Sequence, residues 1–169
     1  MLPDYKTKRL FLRKLADDDT RFIFELVNTP GWIKFIGDRN VKTMEDAGQY
    51  IQKIIANAAV EYLVVTLLDE KIPVGVISFI KRDYLEHHDI GFAFLPAYAG
   101  QGYAFEAANA VLNDRLKLKE HATILATTLI DNHSSIRLLK KLGFAFSKEI
   151  INGEDTLQLY AITSKKNNS

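Results

Sequence analysis

The sequence predicts a single α/β domain in which helices pack against a mixed β-sheet. Three observations lead there. At 169 residues the chain can bury one sizeable core and is short of what two domains need. Its apolar periodicity switches repeatedly between two and about 3.6 residues, so strands and helices are interleaved. Turn signals such as Asn28-Thr29-Pro30-Gly31 and Asn152-Gly153 separate these stretches, and no repeat or linker interrupts them.

Arg9-Leu10-Phe11-Leu12-Arg13 alternates charged and apolar side chains and reads as a first strand. Asp17-Asp18-Asp19-Thr20 offers a cap and an acidic first turn for a helix through Val27, ended by the Asn28–Gly31 signal. Thr43 caps a second helix, with Glu45 and Asp46 in its first turn and Tyr50, Ile51, Ile54 and Ile55 on its apolar face. Residues 61–68 and 72–80 are β-rich runs joined by Leu68-Asp69-Glu70-Lys71. A fourth strand covers residues 88–94, and a helix starts near Tyr103 with Ala104, Ala107, Ala108, Val111 and Leu112 at helical spacing. Residues 122–129 form a fifth strand. A last helix over residues 134–142 stops at Gly143, a natural residue for the left-handed turn after a helix. Residues 144–151 and 156–162 pair as a hairpin around Asn152-Gly153. The domain is expected to span residues 1–163, with a disordered polar tail over 164–169.

Composition excludes several function classes. The 22 Lys and Arg nearly balance 21 Asp and Glu, so no uniform positive field favours nucleic acid. The absence of Cys removes disulfides, thiolate metal sites and a Cys nucleophile. The four His, at 87, 88, 121 and 133, include no helical His-x-x-x-His pair, and no metal is expected. Nothing at the N-terminus resembles an export signal, and no apolar run approaches the roughly 20 residues that cross a bilayer. The expectation is a cytoplasmic protein, monomer or homodimer, with no membrane or nucleic-acid partner.

The most informative segment is Asp89-Ile-Gly-Phe-Ala-Phe-Leu-Pro96-Ala-Tyr-Ala-Gly100-Gln101-Gly102-Tyr103-Ala104-Phe105-Glu106. A strand runs out at Pro96, a turn carries two glycines, and a helix begins at once. The glycines let the backbone approach a ligand, and the first helical N–H groups lack intrahelical partners. With the helix dipole they make an anion site suited to a pyrophosphate. The dinucleotide fingerprint fails, because Phe105 stands where its third glycine belongs, and no Lys-Ser or Lys-Thr follows for a P-loop.

Four pieces in order resemble the GNAT superfamily of N-acetyltransferases, especially its branch of ribosomal-protein N-terminal acetyltransferases. They are Thr7-Lys8-Arg9-Leu10-Phe11-Leu12-Arg13, Trp32-Ile33-Lys34-Phe35-Ile36-Gly37, Pro96 through Ala107, and Asn132-His-Ser-Ser135-Ile-Arg-Leu-Leu-Lys-Lys-Leu-Gly143-Phe144. The resemblance implies a mostly antiparallel sheet of about six to seven strands flanked by about four helices. It also implies acetyl-CoA as co-substrate and an amine acceptor, either a protein N-terminus or a small molecule. The pantetheine arm would lie along the fourth strand, at Phe92, Phe94 and Leu95. The pyrophosphate would meet the amides of Gly100, Gln101, Gly102, Tyr103 and Ala104, with Asn132 and Ser135 also near the cofactor. Ala97 stands where the wider superfamily often has Gln or Arg, which weakens the ion-pairing part of phosphate binding.

Acetyl transfer to an amine needs a proton acceptor, a polarised thioester and a stabilised thiolate. Many GNAT enzymes place a Tyr seven residues after the helix-leading Asn; here that residue is Leu139. The ribosomal branch instead suggests Ser135 as donor to the thiolate, although a Ser at this point also serves as a helix cap. Glu149 matches the branch's proposed base, and Asp89 lies where other members recruit a carboxylate; either is equally at home as a solvated strand-end charge. Trp32 and Phe35, in a loop between the first two helices, are expected to line the acceptor groove or to join the core. Against the enzyme stands a CoA-binding sensor of the same fold without chemistry, for which the missing Tyr speaks.

Overall fold

In the computed structural model, which describes residues 1–165, one eight-stranded sheet runs through the molecule. Its strands are β1 (Tyr5–Lys6), β2 (Leu10–Lys14), β3 (Val60–Leu67), β4 (Pro73–Ile80), β5 (Asp89–Phe94), β6 (Thr123–Leu129), β7 (Ala145–Asn152) and β8 (Asp155–Thr163). The helices are α1 (Thr20–Val27), α2 (Pro30–Phe35), α3 (Met44–Ala56), α4 (Tyr103–Arg115) and α5 (His133–Lys141). The strand order is β1-β2-β3-β4-β5-β6-β8-β7, antiparallel throughout except for β5 against β6. The expected α/β domain is therefore found, with one strand and one helix more than the sequence suggested. No helix among the described residues is long and apolar enough to cross a membrane. Of the tail expected over 164–169, residues 166–169 lie outside the described part.

Local signals explain most boundaries. Thr43 caps α3 through a reciprocal pair, Asp46 N to Thr43 Oγ1 at 3.1 Å and Thr43 N to Asp46 Oδ2 at 3.0 Å. After α5, Gly143 turns left-handed at φ 99°. Gly143 N bonds Lys140 O and Phe144 N bonds Leu139 O, which engages two carbonyls of the last turn. Asp19 does not cap α1 as a helix-start acid would. It is buried and gripped by both terminal nitrogens of Arg13 at 2.8 Å. The segment 28–37 corrects the expected loop: Thr29 ends α1 and also caps α2, Pro30 suits the first helical position, and a short helix follows.

Alternation along the strands divides the apolar residues between two cores. Leu10, Leu12, Leu63, Ile77, Ile90 and Ile124 face α4 and α5, where Ala107, Ala108, Val111 and Leu139 meet them. The small residues of α4 let that helix sit close to the sheet. Val64, Val76 and Leu95 face the other way, against Phe22, Ile23, Leu26, Ala47 and Ile51 of α1 and α3. Trp32 belongs to this second core at 4% exposure, with its indole N–H buried and unpartnered.

At the sheet's centre β5 and β6 touch at one register pair, Asp89 with Leu125, where Leu125 N donates to His88 O at 2.9 Å. Beyond that point the strands part. The loops leading into this apex are held together by His88 stacked on Phe79 at 4.8 Å and His121 edge-on to both rings. Burial lowers the pKa of both His below the usual 6.5. A neutral pair in the folded state and ordinary His in the unfolded chain make the unfolded state bind more protons below pH 6.5. Stability from this pair is therefore complete above pH 6.5 and is lost as pH falls through the lowered folded values. Urea midpoints should drop as pH falls below 6.5, and a His88→Phe/His121→Phe protein should show a flatter profile there.

Candidate active site

The parting of β5 from β6 leaves backbone groups without a strand partner. Leu95 N donates to Val74 O at 2.9 Å, so β5 turns alternate backbone groups, those of residues 89, 91, 93 and 95, toward β4. Phe92 and Phe94 consequently present their N–H and C=O to the opening. Leu95 differs from the expectation: its N–H serves Val74 and its C=O accepts from Tyr98 N, so both of its backbone groups are engaged within the protein.

At the mouth of this wedge stands the glycine turn. Gly100 and Gly102 have φ of 74° and 82°, conformations costly for any residue with a Cβ. Gly102 is the cap of α4 and supplies no side-chain acceptor, which leaves the first amides of a 13-residue helix open to an anion. The turn is latched from the far edge of the sheet. Glu106 accepts from Thr7 Oγ1 at 2.7 Å, Arg9 N at 2.9 Å and Arg9 Nε at 2.7 Å. Arg9 in turn donates to Gln101 O at 2.9 Å and lies 4.5 Å over the Tyr103 ring. Burial pushes the Glu106 carboxyl up, but the bonds from Thr7 and Arg9 prevail and hold it below the usual carboxylate range. The carbonyl of Gln101 is thus turned toward Arg9.

The sequence matches the acetyltransferase (GNAT) domain family over residues 9–145. The chain belongs to the GNAT acetyltransferase family. It is 34% identical over 137 residues to the uncharacterized N-acetyltransferase YnaD of Bacillus subtilis, covering 81% of this chain and 79% of that protein. A GNAT-family acetyltransferase from Bacillus anthracis superposes with a TM-score of 0.81 at 30% identity, over 96% of this chain and 99% of the other. The fold is also that of RimL, a ribosomal L7/L12 acetyltransferase solved with coenzyme A, at TM-score 0.80 and 16% identity over 93% and 95% of the two chains. The protein is accordingly an acyltransferase.

Within this GNAT domain the expected catalytic side chains are spread over three places. Asn132 caps α5, its Oδ1 accepting from Ser135 N at 3.3 Å. Capping therefore falls to Asn132, and the half-exposed Ser135 is left with a hydroxyl that the cap does not use. Leu139, at the GNAT tyrosine position, is 1% exposed in the first core. Asp89 sits at the apex, 3% exposed, with both oxygens accepting from Arg82 Nε at 3.1 and 3.0 Å. Burial pushes its carboxyl up and Arg82 opposes the rise. Glu149 lies exposed on β7, the edge strand, paired with Gln158 and separated from β6 by β8. At about 4.8 Å per strand that puts its backbone roughly 10 Å from β6. The structure does not bring Glu149 and Asp89 together.

On the α1–α3 side, α2 is tied to the turn after β6 by Lys34 Nζ and Asp131 Oδ2 at 3.8 Å. Phe35 is half-buried there, under Lys34 at 4.8 Å, whereas Trp32 is core. Among the described residues no group of three or more His, Asp or Glu is placed to hold a metal. Sequence reasoning missed the Thr7–Arg9–Glu106 latch and the Arg82–Asp89 pair. The charged tip of the opening motif, Thr7-Lys8-Arg9, was the available signal for the first.

Proposed function

We propose that the protein transfers the acetyl group of acetyl-CoA directly to a primary amine, on a small molecule or a protein N-terminus. The observation that carries this reading is a wedge of unpaired β5 backbone that ends in an anion-binding turn. The arm of the cofactor takes bonds from the Phe92 and Phe94 backbone, as an absent strand would. Its pyrophosphate rests on the amides of residues 100–104, with Asn132 and Ser135 at the opposite wall.

The amine nitrogen attacks the thioester carbonyl and the C–S bond breaks. The amine's proton goes to a base, and the departing thiolate is stabilised by a hydrogen-bond donor and takes its proton from solvent. Ser135 is the proposed donor, since its hydroxyl has no capping duty. Glu149 is the proposed base, reaching the amine through water across the exposed end of the hairpin. Asp89 ranks second, being held by Arg82. RimL was solved with coenzyme A, which supports the cofactor assignment.

The direct test is release of free thiol from acetyl-CoA against a panel of amines. Glu149→Gln is expected to lower kcat by about 100-fold with acetyl-CoA affinity unchanged. Unchanged turnover across about pH 4 to 9, a range spanning ordinary carboxylate and α-amino titration, would move the base role to Asp89 or to solvent. Tight CoA binding with no thiol released on any amine would overturn the reading of the chain as an active transferase.

A further inference from the structure

Besides capping α4, Gly102 lines an open groove of about 420 Å³. The groove continues past Phe105 and Asn109, on the face of α4 turned away from the core, to Lys141 at the end of α5. Its volume falls in the range of small-molecule sites, roughly 300–1,000 Å³. The helix rises about 10 Å from Gly102 to Asn109, which is room for a nucleoside phosphate.

A cation stands at each end of this groove. Arg9 spends Nε on Glu106 and Nη1 on the Gln101 carbonyl, and among the described residues Nη2 has no partner. That nitrogen lies 3.3 Å from where a Cβ on Gly102 would stand, so a free donor sits beside the turn. Lys141 Nζ lies 4.3 Å over the Phe105 ring. Among the described residues no carboxylate is within ion-pair distance of it. The ring keeps that ammonium in the groove without neutralising it.

The acids of α4 are already engaged. Glu106 lines the groove, but Thr7 Oγ1, Arg9 N and Arg9 Nε take up both of its oxygens. Asp114, two turns further on, accepts from Tyr5 and Arg115. The α5 sequence, His133-Ser-Ser-Ile-Arg137-Leu-Leu-Lys140-Lys141, contains no acid. A cation entering the groove would find no uncommitted carboxylate among these residues. A phosphate would find two charged donors.

Coenzyme A continues beyond its pyrophosphate as a ribose that carries a 3′-phosphate and adenine. The pantetheine arm leaves the glycine turn along β5, so the nucleotide end must leave it on the other side, where the groove begins. We infer that this groove seats the 3′-phosphoadenosine of the cofactor, with Lys141 as the ligand of the 3′-phosphate and the free Arg9 nitrogen at the pyrophosphate end. The inference rests on the acetyl-transfer reading and deepens it: the protein selects CoA thioesters over their 3′-dephospho forms. Lys141 serves binding, and no bond to the acetyl group is made or broken here.

Calorimetric titration at about pH 8, where a phosphate monoester carries nearly two charges, compares CoA with 3′-dephospho-CoA. Wild type should bind CoA at least about tenfold more tightly. Lys141→Gln should bring that ratio toward unity by weakening CoA, with the affinity for dephospho-CoA unchanged. Lys140 is also exposed but lies outside the groove, and Lys140→Gln should keep the ratio. Equal affinities in wild type overturn the inference and leave the transferase reading in place. So does a ratio that Lys141→Gln leaves intact, or that Lys140→Gln lowers as much. Adenosine 3′,5′-bisphosphate probes the groove without the pantetheine arm. If it binds wild type and not Lys141→Gln while no amine is acetylated, the groove stands and the transferase reading falls. If neither it nor CoA binds, both fall.

Discussion

Gly102→Asp is expected to abolish acetyl-CoA binding, with the affinity falling by at least about 100-fold. Two effects act together. The substituted residue would have to hold φ near 82°, a conformation that L side chains rarely adopt, and its Cβ would stand 3.3 Å from Arg9 Nη2. Its carboxylate would also occupy or repel whatever anion the first amides of α4 receive, and it would offer Arg9 a rival to Glu106. The fold should survive, because Gly102 is exposed and the side chain nearest its added Cβ is the surface Arg9. Calorimetric titration with acetyl-CoA, alongside a circular dichroism melt, checks both halves. Unchanged affinity in a folded protein would show that the pyrophosphate does not rest on this turn.

Arg82→Leu is expected to cost about 3 kcal/mol of stability, because it leaves a buried carboxylate without its counter-ion. Asp89 is 3% exposed, so water cannot replace the guanidinium. With burial unopposed, the Asp89 pKa would rise further above its unfolded value of 3.8. A carboxyl with a raised folded pKa stabilises below the unfolded value and loses that contribution as pH rises. The deficit of Arg82→Leu relative to wild type should therefore grow from pH 4 toward pH 7. Replacing both partners, as Arg82→Leu/Asp89→Leu, should recover most of the loss. Urea denaturation of the three proteins at both pH values measures it, and a deficit under about 0.5 kcal/mol would mean that the pair contributes little to the fold.

The strand–glycine turn–helix segment was legible in the sequence because every part of it is local. A strand end, two residues suited to positive φ and a helix start all fall within residues 94–103. The caps at Thr43 and Gly143 were legible for the same reason. The helix over Pro30–Phe35 was not, since Thr29-Pro30-Gly31 both ends one helix and begins the next, and the stop signal was read alone. The Tyr5–Lys6 strand is too short for any periodicity and exists only through its pairing with Phe11 and Leu12.

The site was legible in its residue types and illegible in its burial. Asp89 reads in the sequence as an available base, and in the fold it is sealed and paired. Trp32 reads as groove or core, and the fold puts it in the core. The Arg9–Glu106 latch joins residues 97 positions apart, a distance over which no local pattern carries information.

The single ladder contact between Asp89 and Leu125 has a mechanical consequence. The sheet is two half-sheets hinged at one rung, β1 through β5 on one side and β6, β8 and β7 on the other. A ligand that bonds the exposed edge of β5 becomes the plank that bridges them, so it finishes the wall against which the second substrate must lean. On the acetyl-transfer reading proposed above, the expected order of binding is cofactor first and acceptor second.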